Sequence, residues 1–425
     1  MAAISNLVLA QSGTNSPYSQ FGLGMLTEQG AGFSRGMNGL GLGFREHNQV
    51  NYLNPASLSS IDSLSFIFDA GFSGQITNFH ENGVRKNANN ATFDYVVAGF
   101  RAAKHLGISF GLIPFTNIGY NYVTTEKLNP QSSYTSKAYS NTYNGEGGLH
   151  DVYLGFGWEP FKGFSFGATA GYLWGNYTRS VINSYSDAYV NTLAKYYSAS
   201  VSNYKLDFGV QYTTKLNEKD QVTVGLTYGL GHQLNADAVC DVVSTNSQTA
   251  TADTMSYVAA KALEIPTSIG AGFMWNHREM LKFGVDYSLQ KWGATEYPQY
   301  TEKNGSVSYT ATSGMFKDRH KFTAGFDFMP VNKRSRSFFN RIHYRAGVSY
   351  ATPYLVINGQ DGPKEISASI GFGIPIINVY NNRSMLNISA QWVNQSASGF
   401  IKENTFRINI GLTFNERWFA KWKVE

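Results

Sequence analysis

The sequence predicts an all-β protein, a transmembrane antiparallel β-barrel of about 14 strands with an N-terminal plug. Apolar residues recur at every second position along most of the chain. The 425 residues are 15% aromatic and 15% charged, whereas charged residues make up about a quarter of a typical soluble domain. The chain has no apolar run near the roughly 20 residues that a membrane-spanning helix needs. Without such a helix, only a closed barrel satisfies every backbone polar group in lipid.

The alternation of apolar and polar residues with a period of two indicates what each face of a strand contacts. In residues 222–230 every even-numbered residue is apolar or aromatic, and every odd-numbered residue is Thr or Gly. Residues 322–328 and 406–414 follow the same rule, with the charged residues on the polar side. Because successive side chains of a strand point to opposite faces, one face suits lipid and the other suits a lumen.

Fourteen segments with such an outward apolar row follow one another, an even number, as single-chain outer-membrane barrels require. Short and long links between them alternate, for example 160–163 and then 175–200, which predicts tight periplasmic turns and long outer loops. The segments are 64–72, 93–100, 106–112, 152–158, 164–172, 204–212, 222–230, 269–275, 281–289, 322–328, 342–350, 366–372, 386–392 and 406–414.

The charged residues of these segments fix which face is which. In the opposite register they would lie in hydrocarbon, at about 2–4 kcal/mol for each Lys or Arg near the bilayer centre. We therefore place them in the lumen, where Lys205 with Asp207, and Lys282 with Asp286, are expected to pair with each other or with neighbouring strands. The full set is Lys205, Asp207, Lys282, Asp286, Lys321, Asp327, Arg345 and Arg407.

Four regions are expected along the chain. Residues 1–10 resemble the end of a signal peptide. Residues 11–60 are rich in Gly, Asn and Ser without alternation, and they are expected to plug the barrel of residues 61–414. The tail, residues 415–425, interleaves Trp418, Phe419 and Trp422 with basic residues. This pattern indicates either an anchor at the membrane surface or a docking tail for a periplasmic or membrane protein partner.

Three short motifs stand in an order that resembles a known family. Asn54-Pro55-Ala56 precedes the first strand, Pro114-Phe115 interrupts the third, and residues 145–148 (Gly-Glu-Gly-Gly) open the fourth. From Ser16 to Phe414 the chain resembles the FadL-type outer-membrane transporters of hydrophobic compounds such as long-chain fatty acids. The resemblance implies a barrel of fourteen strands with an N-terminal hatch. It also implies that the hatch turn (Asn54, Pro55, Ala56) sits against a kinked third strand, where a lateral opening leads into the membrane.

Each of these assignments has a plainer alternative. Proline lacks the N–H that a sheet ladder needs, so Pro114 marks either a lateral opening or a bulge with no passage. Asn-Pro also begins ordinary turns. The apolar residues of the plug are candidate ligand contacts or simply its core; they are Phe21, Leu23, Met25, Leu26, Phe33 and Leu40.

Signals for other functions are weak. Gly-x-Ser-x-Gly occurs around Ser34, Ser109 and Ser165, but alternating small residues produce it by chance and a nucleophile elbow needs a strand-to-helix turn. The eight histidines show no metal-binding spacing and the single cysteine, Cys240, excludes a disulfide framework. Three aspartates lie in one expected outer loop, and solvation explains them more simply than a bound divalent cation does; they are Asp237, Asp241 and Asp253. We expect no enzyme activity, no metal and no cofactor, and the dispersed net charge of +5 gives no sign of nucleic-acid binding.

Two functions fit this fold in the outer membrane of a Gram-negative bacterium. The first is passive uptake of hydrophobic small molecules, which leave sideways into the lipid through a gap in the barrel wall near Pro114. The second is a non-transporting accessory or structural barrel within a larger outer-membrane assembly, with its loops or tail as contact surfaces. Fold alone does not decide between them.

Overall fold

Fourteen antiparallel strands close into a barrel in a computed structural model that describes residues 13–127, 138–187, 189–330, 337–376 and 384–417. Each strand pairs with the next, and the first pairs with the last from Ser65–Arg417 to His80–Lys402. The predicted fold class is confirmed. In chain order the strands are β1 (Ser65–Glu81), β2 (Val84–Ala103), β3 (Leu106–Lys127), β4 (Ala138–Phe161), β5 (Phe164–Tyr185), β6 (Thr192–Lys215), β7 (Asp220–Gly229), β8 (Ser268–His277), β9 (Leu281–Gln290), β10 (Arg319–Phe328), β11 (His343–Ala351), β12 (Lys364–Ile376), β13 (Ser384–Ser396) and β14 (Lys402–Arg417).

The two faces of the strands have the predicted character. Outward apolar side chains are exposed, for example Leu226 at 55%, Phe322 at 50% and Ile410 at 50%, as expected for a face that meets lipid. Inward charged side chains such as Asp327 and Arg345 are buried. No helix in the described ranges is both long and apolar enough to cross a membrane.

The barrel wall is much taller on one side than on the other. Strands β3 to β6 contain 22–24 residues, whereas β7 to β11 contain 9–10. About 9–11 residues suffice to cross a bilayer, so β3 to β6 extend well beyond it. The expectation of long loops over 124–148 and 175–200 is therefore wrong, because most of these residues continue the strands. In the described residues β3 continues to Lys127, β4 begins at Ala138, β5 continues to Tyr185 and β6 begins at Thr192.

Four short links lie at one end of the barrel, the predicted periplasmic end. They are residues 104–105, 162–163, 216–219 and 278–280. Two connections depart from the predicted alternation. Residues 82–83 form a two-residue link between β1 and β2 at the outer end, and β10 and β11 are separated at the periplasmic end by a longer stretch whose described part includes the 3-10 helix Phe339–Arg341. Of the tail that the sequence marks as an anchor or docking segment, residues 418–425 lie outside the described residues.

Short elements cover the opposite, outer end. One hairpin, Ala238–Asn246 with Thr251–Ala259, pairs with the upper part of β6 and extends its wall. The other short elements are the hairpin Tyr297–Lys303 with Ser306–Thr312, the pair His232–Gln233 with Glu264–Ile265, the pair Val356–Ile357 with Gln360–Asp361, and the 3-10 helix Trp292–Ala294.

Residues 13–61, called the N-terminal segment here, lie against the inward face of the strands. A Cβ atom on Gly225 would stand 2.1 Å from the carbonyl oxygen of Leu42, and one on Gly157 would stand 2.3 Å from that of Pro55. Small inward residues thus let the segment approach the wall closely. The segment contains a 3-10 helix (Pro17–Gln20), a two-residue strand (Met25–Leu26), a one-turn helix α1 (Gly32–Arg35) and a second 3-10 helix (Pro55–Ser60).

The inward charges bind this segment as well as each other. Lys205 pairs with Asp207 as expected, and also with Asp151 at 3.5 Å. The expected pairing of Lys282 with Asp286 is not what the structure shows. Lys282 instead pairs with Glu46 of the N-terminal segment. Asp286 accepts hydrogen bonds from the backbone N–H groups of Gly41 and Leu42 at 2.7 and 2.8 Å. Lys282 and Asp286 bind the N-terminal segment rather than each other, because the segment places its own carboxylate and backbone N–H groups next to the wall.

Candidate functional site

The barrel wall has a gap between β2 and β3. These strands pair only from Ala103–Leu106 to Val96–Leu112. Beyond this last rung the described residues of β2 pair with β1 alone, and those of β3 pair with β4 among the barrel strands. Pro114 follows the last rung by two residues, and the β3–β4 register shifts between Pro114 and Thr116. The bulge at Phe115 and the missing N–H of Pro114 both suit a strand that has lost one neighbour.

The N-terminal segment takes the place of β2 along β3. Its strand Met25–Leu26 pairs antiparallel with Thr116–Asn117. The carbonyl oxygen of Pro114 accepts hydrogen bonds from Thr27 Oγ1 at 2.5 Å and from Gln29 Nε2 at 3.1 Å. The free edge of β3 is thereby satisfied at the bulge by residues of another element, as buried backbone groups must be.

The start of the segment closes the gap on the side of β2. A Cβ atom on Gly13 would stand 2.5 Å from Thr92 Cγ2 and 2.6 Å from Asn117 Nδ2, so Gly13 lies between the two strands. Asn15 Nδ2 donates to Asn90 Oδ1 of β2 at 3.0 Å. At this level the described residues that lie between the two strands belong to the N-terminal segment, and a cavity of about 90 Å³ remains beside them.

An apolar cluster on the outer side reaches this gap. We call it the upper apolar cluster, and four of the six candidate ligand contacts belong to it: Leu23 is buried within it, while Phe21, Met25 and Leu26 pack against it together with Phe115. Its other buried members include Ile118, Leu149, Leu173, Leu234, Leu263, Trp292, Phe316 and Leu355, from upper strands and outer loops.

The other two candidate contacts lie elsewhere. Phe33 and Leu40 belong to a second cluster, the lower apolar cluster, in which the segment packs on the wall. Both side chains are at most 1% exposed. The structure thus separates the six residues into two groups, of which only the first borders the gap.

Polar residues separate the two clusters. Cavities of about 240 and 180 Å³ adjoin Gln29 between them. Their lining includes the ion pairs of Arg407 with Glu28, at 3.4 Å, and of Lys205 with Asp151. We call this layer the polar belt. Apolar side chains such as Leu53, Phe115 and Ile265 share this lining, so an apolar compound in the layer would contact charged groups beside apolar ones, and the charged groups would lose hydration.

The turn at Asn54 is fixed on another part of the wall. Asn54 Oδ1 accepts from the backbone N–H of Ala56 at 3.1 Å and so caps the second 3-10 helix. Its Nδ2 donates to the carbonyl oxygens of Leu42 and of Val210 in β6. Pro55 packs on glycines of β4, β5 and β6. The resemblance placed this turn against the interruption of the third strand, but its hydrogen bonds and closest contacts are with β4 to β7.

Sequence reasoning missed the polar residues that hold the segment in the gap. Thr27 and Gln29 gave no signal, because isolated polar residues in a Gly-rich stretch have no characteristic spacing. Tyr354 of an outer loop was also missed; its hydroxyl donates to the carbonyl oxygen of Gly24 at 3.5 Å. Burial raises the pKa of Tyr354 to about 12, so this hydroxyl keeps its proton at physiological pH.

The serines of the three Gly-x-Ser-x-Gly matches and the loop aspartates have structural surroundings. Ser109 hydrogen-bonds to the Tyr153 hydroxyl at 2.9 Å, and Ser165 accepts from Arg45 at 2.6 Å. Ser34 is fully buried. Within the described residues, no group of three His, Cys, Asp or Glu side chains is placed to hold a metal ion. Asp241 accepts a hydrogen bond from Ser256, an ordinary contact in an outer hairpin.

Comparison with known proteins identifies the family. The family model described as BamG matches residues 1–425. The chain belongs to the BamG family. It is thus an outer-membrane β-barrel protein of a Gram-negative bacterium. No curated protein sequence matches it.

Solved structures with the same fold are FadL-type transporters, which confirms the resemblance at the level of the fold. The Pseudomonas putida toluene transporter TodX has a TM-score of 0.62 at 13% identity, covering 93% of this BamG-family chain and 100% of its own. The Ralstonia pickettii toluene transporter TbuX has a TM-score of 0.60 at 12% identity, covering 92% and 99%. A Pseudomonas aeruginosa FadL homologue has a TM-score of 0.61 at 11% identity, covering 93% and 99%.

Proposed function

We propose that this BamG-family protein lets small hydrophobic compounds pass from the outside into the outer-membrane lipid through the gap between β2 and β3. One observation carries the proposal. The wall ladder stops at Val96–Leu112, and the space beyond it is closed by Met25–Leu26 and its neighbours rather than by a barrel strand. A closure made of a separate segment opens without breaking the barrel.

The proposed path begins at the outer loops. A compound would enter the upper apolar cluster, replace contacts among Phe21, Leu23 and Phe115, and then displace Met25–Leu26 from β3. The polar belt below favours this sideways exit over a route along the barrel axis, since the belt presents ion pairs to an apolar solute. In this proposal residues 11–60 act as the hatch and Pro114 and Phe115 border the exit.

No energy source is required for this path. Transfer of the compound from water into lipid supplies about 25 cal/mol for each Å² of apolar surface removed from water. The fold of hydrocarbon and toluene channels supports this substrate class for the present chain, as does the apolar character of the cluster beside the gap.

A disulfide across the gap tests the proposal. Leu26 and Thr116 are direct partners in an antiparallel pair, at a spacing that a disulfide bridges. The variant Leu26→Cys with Thr116→Cys, in a Cys240→Ala background, is reconstituted in lipid vesicles with toluene and a long-chain fatty acid as probes. Oxidation is expected to stop uptake and reduction to restore it.

A matched pair in the permanent ladder serves as the control. Val96→Cys with Leu112→Cys joins β2 to β3 at the last rung, where nothing has to move. Oxidation of this pair should leave uptake unchanged. If the reduced Leu26–Thr116 variant moves neither probe faster than empty vesicles, or if its oxidised form transports equally well, the proposal is wrong.

A non-transporting accessory barrel is the second candidate, and two observations favour it. The cavities of about 240 and 180 Å³ beside Gln29 are smaller than ligand pockets, which usually measure about 300–1,000 Å³. The tall wall of β3 to β6 also presents a large surface outside the membrane. In this case we propose contacts with other proteins through the outer loops or the tail at Trp418 to Trp422.

Purification of the native protein in mild detergent separates the two candidates. An accessory subunit is expected to co-purify in fixed ratio with other outer-membrane proteins and to contain no lipid-like density beside Phe115. A channel is expected to purify alone and to bind its probe in the upper apolar cluster.

A further inference from the structure

Arg179 is a buried arginine at the edge of the upper apolar cluster, high on β5. Its side chain is 8% exposed. The ionisable side chains that interact with it are tyrosines, which are neutral at physiological pH, and within the described residues no ion pair with a carboxylate is formed. A buried cation costs free energy unless it is well hydrogen-bonded, so the partners of this guanidinium indicate what it does.

The guanidinium joins the N-terminal segment to an outer hairpin. Its Nη1 donates to the carbonyl oxygen of Gln20 at 2.7 Å and to the hydroxyl of Tyr297 at 2.9 Å, and its Nη2 donates to the carbonyl oxygen of Gly22. Tyr297 begins the hairpin Tyr297–Lys303 with Ser306–Thr312, and its hydroxyl donates in turn to that of Tyr177 at 3.2 Å. The guanidinium carbon lies 4.6 Å from the centre of the Tyr177 ring, within cation–π range.

The residues that Arg179 holds directly precede the strand that closes the gap. Gly22 and Gly24 have φ angles of +57° and +101°, which turn the chain toward Met25–Leu26. A Cβ atom on Gly22 would stand 2.8 Å from the Phe316 ring. The turn is therefore held from one side by Arg179 and covered from the other by an outer loop.

We propose that Arg179 is a positioning residue that keeps Met25–Leu26 paired with β3 and links this closure to the outer hairpin through Tyr297. An arrangement of the hairpin that withdraws the Tyr297 hydroxyl weakens the hold on Gln20 and Gly22 and frees the closing strand. The consequence for uptake rests on the proposed function, but the positioning itself does not.

The choice of side chain distinguishes this role from simple packing. Arginine offers a planar fork with several donors in fixed directions, which matches two carbonyl oxygens and one hydroxyl at once. Lysine keeps the charge but not the fork, and methionine fills a similar volume with no donor. If Arg179 only filled space, Arg179→Met would be tolerated.

Thiol labelling measures the position of the closing strand directly. Met25→Cys in the Cys240→Ala background is purified in detergent and treated with a water-soluble maleimide. Hydrogen bonds to a charged group are strong, so Arg179→Met is expected to raise the labelling rate about tenfold or more. Arg179→Lys should give an intermediate rate. Tyr297→Phe, which removes one of the three acceptors, should raise the rate about threefold.

Arg45→Met is the control. Arg45 pairs with Glu159 and donates to Ser165 Oγ at 2.6 Å, away from the gap, so its loss should leave the labelling rate at the parent value. Equal labelling of the parent and all three test variants, or an equal rise in Arg45→Met, would overturn the proposal. If Arg179→Met does not form the barrel, the labelling rates of Arg179→Lys and Tyr297→Phe test the proposal in its place.

Measuring uptake of toluene and a fatty acid by the same variants distinguishes the positioning role of Arg179 from the proposed uptake function. If labelling rises in Arg179→Met and its uptake exceeds that of the parent, the positioning role and the uptake function are both supported. If labelling rises while neither protein transports toluene or a fatty acid, Arg179 positions the segment but the protein is not a channel for them.

Discussion

The two parts of the N-terminal segment are held in different ways. Residues 31–61 are almost entirely buried, approach inward glycines at backbone distance and share buried polar contacts with many strands. Residues 13–29 lie in the gap, and a smaller share of them is buried. They are held by the two-residue strand Met25–Leu26 and by hydrogen bonds to scattered residues of the wall and the outer loops, among them Glu403, Ile401 and Arg179. Stability within one protein is not uniform, and less buried regions have a lower free energy of local opening. We therefore expect residues 31–61, the lower part, to stay in place, whereas residues 13–29, the upper part, are where the wall opens in the proposed function.

The largest loss of stability is expected from a buried charged layer, Arg345 with Asp327, on the inward wall beside the lower part. Arg345 is 3% exposed and its Nε donates to Asp327 at 2.8 Å, while Asp327 also pairs with His343. Arg345→Met removes the guanidinium from the buried Asp327, which keeps its contact with His343 Nδ1 at 2.7 Å, and this should cost about 3–5 kcal/mol. The loss is measured as the denaturant midpoint of the folded barrel on unboiled gels. An unchanged midpoint would show that this layer does not fix the lower part.

Close approach of the lower part to the wall should give the next effect. Gly225→Ala puts a Cβ atom 2.1 Å from the Leu42 carbonyl oxygen, so the backbone has to move, at about 1–3 kcal/mol. Gly74→Ala is the control, because no atom lies within 4 Å of its Cβ position. The two variants are compared by the same unfolding midpoint, and similar midpoints would contradict the tight fit.

A glycine of the upper part should behave differently. Gly22→Ala combines a φ of +57° with contact to the Phe316 ring, a strain of about 1–2 kcal/mol. This strain is expected to free residues 20–26 while the unfolding midpoint of the barrel stays at the parent value. Faster thiol labelling at Met25→Cys with an unshifted midpoint is the predicted pair of results. A shifted midpoint would mean that the upper part is as integral to the barrel as the lower part.

The smallest effect is expected from Tyr354→Phe. The bond from its hydroxyl to Gly24 is long, at 3.5 Å, so its loss should cost about 0.5 kcal/mol and raise labelling only about twofold. Because the pKa of Tyr354 is raised to about 12, this group should not change labelling between pH 6 and 9 once the rate is divided by that of the same cysteine in the unfolded protein, which corrects for thiol ionisation. A rise of this ratio would assign the hold to another titrating residue.

The sequence predicted the membrane-spanning part well because lipid imposes a rule on every strand. The rows at Leu226, Phe322 and Ile410 face outward as expected, and fourteen apolar rows correspond to fourteen strands. Outside the bilayer, outward side chains do not have to be apolar. The upper parts of β5 and β6 carry outward Ser, Thr and Tyr, so residues 176–185 and 192–200 showed no apolar alternation and were expected to belong to a loop.

The candidate site was only partly predictable. Pro114 carries its own signal, because a residue without an N–H suits a strand edge or bulge. Asn54-Pro55 is a recognisable helix start, but which wall it contacts depends on the packing of the whole segment. Arg179 is a single arginine in a polar stretch, and its partners at Gln20 and Tyr297 are far from it in the sequence. Partners that only the fold brings together leave no local pattern.

Hydrogen exchange of the purified protein tests the central claim most directly, by comparing backbone amides of residues 13–29 with those of residues 31–61. We expect the amides of the first group to exchange at least about tenfold faster, while those of the second keep the protection of the barrel strands. Equal protection of both groups would contradict a movable closure and would leave the wall between β2 and β3 permanently shut.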